Sequence, residues 1–173
     1  DDTGRHALLI SRKGEQKVSD SISDIKNLKE DFVLADPRLL DPVKEFPDDA
    51  TVVMQTIWPN LIVQQQSNTL ALRQIRPRNA GSFELHWTFF GYEDDSEEMQ
   101  TRRLRQANLM SSAGLVSADD SEVIKLAQDG VRQYADDSGL LLLGGRGTED
   151  TPHMVTEVAL RAFYEHYRKV MDL

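Results

Sequence analysis

The sequence predicts an α+β fold in which an antiparallel β-sheet packs long helices against one of its faces. Two observations support this class. Between Thr51 and Tyr92, polar and apolar residues alternate with the period of two that is typical of strands. After residue 95, apolar residues recur every three or four positions, which is the helical period. Because the β-rich runs are separated only by short joints, they should form an antiparallel meander.

Five strands are expected, and the last of them shows the alternation most clearly. One side of that run carries Phe83, Leu85, Trp87 and Phe89, and the other carries Glu84, His86 and Thr88. Such a pattern indicates a sheet with one packed face and one wetter face. The predicted strands are His6–Ile10, Thr51–Ile57, Asn60–Gln66, Thr69–Arg76 and Ser82–Tyr92.

Four helices are expected around this sheet, each with a polar residue at its start. The first covers Ser21–Phe32, and three prolines with a short turn at Arg38–Leu40 separate it from the sheet. The other three should begin after Asp95 or Ser96, after Ser117 and after Thr151, since these residue types cap helix N-termini. Residues Leu140–Leu143 are predicted to form a short buried strand before the final helix.

Composition limits the class of protein. The 173 residues suffice for one domain with a real core, and 39% of them are hydrophobic. Twenty basic against 29 acidic residues give a net charge of −9, which argues against nucleic acid or an anionic membrane as partner. The sequence has no cysteine, which excludes disulfides, thiolate nucleophiles and Cys-ligated clusters, and is typical of a cytoplasmic protein. No apolar run is long enough to span a membrane.

One acidic residue occupies an unexpected position. At about 100° per residue, Asp120 falls in the middle of the apolar stripe of its predicted helix. That stripe consists of Val116, Val123, Ile124, Ala127, Val131 and Tyr134. An ionised carboxylate that faces a core needs a hydrogen-bonding, ionic or metal partner. Two explanations remain open: Asp120 accepts hydrogen bonds from the free N–H groups of its own helix, or it is a metal ligand or catalytic acid beside an apolar cavity.

Other candidate residues give weaker signals. The four histidines lack the i, i+4 spacing of a metal-binding helix: His166 lies on an apolar stripe typical of a core residue, and His86 and His153 should be at the surface. Gly144–Gly147 lacks the Lys-Ser/Thr ending of a phosphate loop and is interpreted as a turn. The run Gln64–Gln66 puts amides in a strand, which fits either a polar cavity lining or an edge strand.

Four motifs, taken in order and spacing, resemble one family. They are Trp58-Pro59-Asn60-Leu61, Phe89-Phe90-Gly91-Tyr92, Ala113-Gly114 followed by Asp119-Asp120-Ser121-Glu122, and His153-Met154-Val155-Thr156-Glu157 followed by Arg161, Phe163, Tyr164, Tyr167 and Met171. The sequence is similar over nearly its whole length to the catalytic domain of the large (α) subunit of Rieske-type aromatic-ring-hydroxylating dioxygenases. This resemblance implies a helix-grip fold, like that of START and Bet v 1 domains.

The resemblance also implies a metal centre. Asp120 matches the aspartate that binds a mononuclear Fe(II) together with two histidines, a facial triad that leaves positions open for O₂. The histidine pair and the domain with the [2Fe-2S] Rieske cluster would precede residue 1, so residues 1–173 are expected to be a single, incomplete catalytic domain. On its own this piece should be inactive.

Further positions match the substrate cavity of relatives. Met110 and Val116, together with Met54, Gln64 and Ser67 on the strands, are the expected substrate-binding residues. Met and Val suit a flat apolar ring, and Gln64 could contact a polar substituent. The Gln-rich strand is most similar to salicylate- and anthranilate-type oxygenases, which act on aromatic carboxylates. Arg73 or Arg76 could pair with such a carboxylate, but both are expected at the surface.

The function that the resemblance implies is hydroxylation or cis-dihydroxylation of an aromatic ring with O₂. Electrons would come from NAD(P)H through a reductase, a ferredoxin and the Rieske cluster, in a cytoplasmic homotrimer or an α₃β₃ assembly with a small β subunit. The alternative is a non-enzymatic helix-grip domain that carries a hydrophobic ligand. In that case Asp120 would only cap its helix.

Overall fold

Five antiparallel strands form one sheet in the computed structural model, which describes residues 5–12, 35–140, 142–153 and 155–173. Neighbours in the sheet are neighbours in the sequence, in the order β1-β2-β3-β4-β5. The predicted meander is therefore confirmed, with strand bounds that differ by a few residues. The strands are β1 (Ala7–Arg12), β2 (Ala50–Ile57), β3 (Leu61–Gln66), β4 (Thr69–Asn79) and β5 (Ser82–Phe90).

Three α-helices follow the sheet, and a 3₁₀ turn at Pro37–Leu40 lies between β1 and β2. The helices are α1 (Glu97–Met110), α2 (Leu115–Gln133) and α3 (Val158–Met171). The α+β class is thus confirmed. The helix predicted at Ser21–Phe32 lies outside the described residues. None of the helices in the described part of the chain is long and apolar enough to cross a membrane.

The predicted cap of α1 is confirmed, whereas that of α2 is wrong. Ser96 accepts a hydrogen bond from the Met99 N–H at 3.2 Å. Ser117, by contrast, lies inside α2, and Gly114 occupies the capping position. The Ser117 hydroxyl instead donates to the Met110 carbonyl at 2.7 Å, so it joins the end of α1 to the start of α2.

The start of α3 was also predicted too early. Thr151 donates its hydroxyl hydrogen bond to the His153 carbonyl at 3.2 Å and caps no helix. The first N–H of α3, at Val158, is satisfied by the hydroxyl of Thr156 at 3.2 Å. Glu157 occupies the capping position without a side-chain capping bond, so the predicted cap at Thr151 is wrong.

The strand predicted at Leu140–Leu143 is wrong for its described residues, 140, 142 and 143, which belong to no strand. Leu140 is 78% exposed. Glu157 binds the backbone of Leu143 twice, since the Leu143 N–H donates to the Glu157 carboxylate and the Leu143 carbonyl accepts from the Glu157 N–H, both at 2.9 Å. The same carbonyl also accepts from Arg161 Nη1 at 3.0 Å. These hydrogen bonds hold Leu143 against the start of α3. The described leucines of this run form no strand.

The two faces of the sheet differ in what covers them. We define the inner face by two rows of directly paired residues that cross the sheet: Met54, Gln64, Ala71 and Phe89, and beside them Thr56, Ile62, Arg73 and Trp87. Side chains of α3 (Ala159, Leu160 and Phe163) meet Ala7 and Thr56 on this face around a small cavity of about 120 Å³. Of the other two helices, α1 contacts β4 and α2 packs against α1.

An aromatic cluster holds α3 against the turn between β2 and β3. The Trp58 ring lies 4.9 Å from that of Phe163 and meets the His166 ring edge-on at 4.8 Å. His166 therefore packs among aromatic rings, consistent with its apolar stripe. As expected, His86 and His153 are exposed.

A buried polar network joins α1 to the sheet. The Arg103 guanidinium donates to Asp95 through Nε at 2.7 Å and Nη2 at 2.9 Å, to the Asn68 carbonyl at 2.5 Å, and to Glu45. Asn68, 0% exposed, accepts from the Val43 N–H at 2.9 Å and donates back to the Val43 carbonyl. We call Arg103, Asp95, Glu45 and Asn68 the Arg103 network.

The charges in this network stabilise one another. The hydrogen bonds from Arg103 hold the pKa of the Asp95 carboxyl below its ordinary value. The hydrogen bonds to Asp95 and Glu45 raise the pKa of Arg103. The guanidinium also lies 5.4 Å from the Tyr92 ring centroid, a cation–π distance. Three chain segments distant in sequence thus meet at one cation.

We expect Arg103→Met to lower the free energy of unfolding by about 2–4 kcal/mol. Removing one partner of a buried ion pair costs about 3–5 kcal/mol, but Glu45 and Asp95 line an open cavity where solvent screens part of this cost. Arg105→Met is the matched control on an exposed position of the same helix and should change stability by less than about 0.5 kcal/mol. Urea unfolding followed by circular dichroism measures both, and equal losses would contradict the structural role of Arg103.

Candidate functional site

Two of the predicted pocket residues lie side by side on the inner face. Met54 on β2 is paired directly with Gln64 on β3. Gln64 is 2% exposed, so the amide predicted to line a cavity is buried, and the edge-strand interpretation is wrong because β3 lies between β2 and β4. Ser67 is in the turn that ends β3, in the left-handed region with φ 52°, and its N–H donates to the Thr51 carbonyl at 2.7 Å.

The other two pocket residues flank the junction between α1 and α2. Met110 ends α1 and is 6% exposed, whereas Val116 in the first turn of α2 is exposed. The junction is tight: the Gly114 N–H donates to the Ser111 carbonyl at 2.7 Å. A Cβ at Gly114 would overlap the backbone carbonyls of Asn108 and Leu109, so only glycine lets α2 start here.

This junction corrects the expectation for Asp120. Since α2 begins at Leu115, Asp120 lies beyond the first turn, out of reach of the free N–H groups that the capping explanation requires. The predicted burial is wrong as well, because Asp120 is exposed. Its apolar stripe is 41–64% exposed at Val116, Val123, Ile124, Val131 and Tyr134. Helical spacing groups these apolar residues on one side of α2, but it cannot tell whether anything in the chain covers that side.

The charge of Asp120 is nevertheless felt on the inner face. Burial lowers the pKa of Arg73, and the negative charge of Asp120 offsets part of this effect. Asp120 makes no hydrogen bond or ion pair to another described residue. The carboxylate is therefore free to bind a ligand or a cation above the inner face.

Arg73 is not at the surface as predicted, while Arg76 is exposed as expected. On the inner face, the Arg73 guanidinium lies 5.0 Å from the Trp87 ring centroid and donates through Nη2 to the Met54 sulfur at 3.4 Å. A signal for this placement exists in the sequence. Arg73 is in phase with Thr69 and Ala71, which lie on the buried side of the period-two pattern in β4.

Four polar side-chain atoms on the inner face are buried without a hydrogen-bond partner in the described structure: Gln64 Oε1, Thr69 Oγ1, Arg73 Nε and Trp87 Nε1. The other end of the Gln64 amide is occupied, since Nε2 donates to Gln66 Oε1 at 2.7 Å. Buried polar groups are nearly always paired in folded proteins. The site thus offers two N–H donors, one amide acceptor and one hydroxyl to a ligand with matching groups.

The described residues supply part of a metal site at most. They contain no cluster of three or more His, Cys, Asp or Glu side chains that could hold an ion. Asp120 offers one carboxylate, the hard oxygen ligand that a facial triad combines with two imidazoles. Asp120 can therefore supply one of the three ligands of a facial triad, and the two imidazoles would have to come from residues outside this set.

Comparison with known proteins agrees with this fold. The family profile described as ring hydroxylating alpha subunit (catalytic domain) matches residues 24–173. Since the match covers most of the sequence, the chain belongs to that family. The predicted resemblance is thereby confirmed.

Individual relatives are similar over almost the whole chain. The chain is 47% identical over 169 residues to the large oxygenase component of salicylate 5-hydroxylase from Ralstonia sp.. It is 36% identical over 170 residues to the anthranilate 1,2-dioxygenase large subunit from Burkholderia cepacia. These alignments cover 96% and 97% of the chain, but the chain spans only 40% of the length of either relative.

A solved structure supports the fold. Naphthalene 1,2-dioxygenase from Rhodococcus sp., bound to indole, superposes with a TM-score of 0.62 at 16% identity. The match covers 97% of the chain and 43% of that structure. The helix-grip prediction is confirmed at the level of architecture.

The tight junction leads to a test of how Asp120 is positioned. Gly114→Ala should destabilise the protein by about 1–3 kcal/mol, because the added methyl group overlaps backbone that cannot give way easily. Gly130→Ala in the same helix is the matched control: a Cβ there meets open space, so the change should raise stability by up to about 1 kcal/mol. Thermal unfolding distinguishes the two, and a neutral Gly114→Ala would contradict the close packing.

Proposed function

We propose that residues 1–173 are the C-terminal part of the catalytic domain of a non-haem iron oxygenase α subunit. Its reaction is hydroxylation or cis-dihydroxylation of an aromatic ring, most specifically an aromatic carboxylate, with O₂. The observation that carries the proposal is the carboxylate of Asp120, which has no partner among the described residues and whose charge acts on Arg73 of an inner face with unpaired polar atoms. Membership in the ring-hydroxylating family supports the reaction class.

The metal part of the proposal rests on Asp120. In the complete protein, Asp120 would supply one metal ligand. Two histidines from outside residues 1–173 would supply the other two. The mononuclear Fe(II) would supply O₂ activation, with electrons arriving from NAD(P)H through a reductase, a ferredoxin and the [2Fe-2S] Rieske cluster. The tight start of α2 fixes the depth at which Asp120 stands above the sheet.

The chain's own residues would bind and orient the ring. Met54, Met110 and Val116 provide flexible or branched apolar contacts for a flat substrate, and Ser67 closes one end of the face. The unpaired Gln64 Oε1 would accept a hydrogen bond from a hydroxyl or amino substituent. Because a buried acceptor without a partner is costly, this contact favours rings that carry such a donor.

The oligomeric part of the proposal is a homotrimer or an α₃β₃ complex with a small β subunit. The names of the relatives, a large oxygenase component and a large subunit, describe parts of multi-component systems. The rival function is a carrier of a hydrophobic ligand. Asp120 would then have no metal to bind, so the test of iron binding separates the two.

We expect Asp120→Ala in the complete subunit to remove the mononuclear iron and leave the Rieske cluster intact. Activity should fall by more than about 100-fold, since changes behind the ligands of a metal already cost 10–100-fold. Metal analysis gives the iron content, and the visible spectrum reports the cluster. Asp119→Ala, at the exposed neighbouring position, is the control and should retain the iron. Undiminished mononuclear iron in Asp120→Ala would refute the assignment and favour the carrier.

A further inference from the structure

One hydroxyl group connects the two helices on either side of the Gly114 junction. Ser117 is the only buried residue of α2, with 7% of its surface exposed. Its hydroxyl donates to the Met110 carbonyl, and the hydrogen bond itself is buried. A serine inside a helix ordinarily bonds a carbonyl three or four residues earlier in the same helix, but Ser117 reaches the preceding helix. The side chain thus serves the contact between α1 and α2.

The Met110 carbonyl depends on this donor. In a continuing helix its partner would be the N–H of Gly114, four residues later, but that N–H donates to the Ser111 carbonyl. Met110 is itself buried, so water is a poor substitute for the missing N–H. Without the Ser117 hydroxyl, a buried acceptor at the end of α1 would lose its partner, which lowers stability. The hydrogen bond therefore holds the end of α1 and the start of α2 at one separation.

Few other contacts fix the start of α2. Among the helices and strands in the described part of the chain, α1 is the one that packs against α2. The capping residue Gly114 makes no side-chain hydrogen bond. At the far end of α2, the exposed side chain of Arg132 donates to the Gly81 carbonyl at 3.1 Å. The Ser117 contact is thus the one buried side-chain hydrogen bond between α2 and another described element.

We propose that Ser117 is a positioning residue for the Asp120 carboxylate. Asp120 follows Ser117 by three residues, so the two side chains are neighbours on the surface of α2. A metal ligand must be held within about 0.5 Å of its working position. The inference rests on the proposed function, in which Asp120 binds the mononuclear iron and Met110 contacts the ring. One hydrogen bond then sets the separation between the metal ligand and a substrate-binding residue.

The test measures how fast the complete subunit releases mononuclear Fe(II) to the chelator ferrozine in the absence of oxygen. Ser117→Ala should release the iron about 3- to 10-fold faster than wild type, which corresponds to the loss of one neutral hydrogen bond. Ser121→Ala is the matched control. The Ser121 hydroxyl donates at 2.6 Å to the Ser117 carbonyl of its own helix, so its removal should change the rate less than about 2-fold. Ser117→Thr keeps the hydroxyl and should release iron more slowly than Ser117→Ala.

Two spectra separate a positioning role from a purely structural one. The visible spectrum of the Rieske cluster and the circular dichroism of Ser117→Ala should equal those of wild type, since only the position of the ligand changes. Loss of the cluster or of helical signal together with the iron would overturn the proposal. Equal release from Ser117→Ala and Ser121→Ala, or from Ser117→Ala and Ser117→Thr, would also overturn it.

Asp120→Ala in the same assay tests the proposed function independently. Iron that is retained in Asp120→Ala refutes the proposed function. Iron that is lost in Asp120→Ala but released at the wild-type rate in Ser117→Ala refutes the positioning role alone.

Discussion

The placement of the candidate site depends on the Arg103 network. One guanidinium holds α1, the loop before it and the turn before β4, because it binds Asp95, Glu45 and the Asn68 carbonyl together. The far end of α1 is joined to α2 through Ser117 and the close contact at Gly114. Asp120 stands less than two turns farther along α2. A buried cation in the middle of α1 therefore helps to set the position of the Asp120 carboxylate, which lies beyond the C-terminal end of that helix.

The inner face of the sheet is the part of the molecule that would contact a ligand. Gln64, Arg73 and Trp87 each have a buried polar atom without a hydrogen-bond partner there, and the charge of Asp120 acts on Arg73. If the protein bound no ligand, aliphatic residues in place of Arg73 and Gln64 would raise its free energy of unfolding, since unpaired buried polar groups lower stability. Their presence is understandable if a polar aromatic ligand completes them. The same logic explains why Arg76, which is solvated on the same strand, has no part in the site.

Residue patterns predicted the sheet well because a strand that is buried on one side must alternate. They predicted two of the helix starts poorly, since Gly114 and Glu157, which occupy the capping positions of α2 and α3, make no side-chain capping bond that residue type could reveal. Helical spacing placed Asp120 among apolar neighbours, but burial depends on a covering partner that spacing cannot reveal. Arg103 and Arg73 were missed as buried residues, because a charge becomes tolerable in the interior only through partners distant in sequence, such as Glu45 and Trp87.

Iron-edge anomalous diffraction from crystals of the complete subunit with bound benzoate tests the central claim most directly. The account predicts an anomalous peak within bonding distance of an Asp120 oxygen, and the benzoate ring on the inner face. An iron peak remote from Asp120, with the ring bound elsewhere than on the inner face, would contradict it.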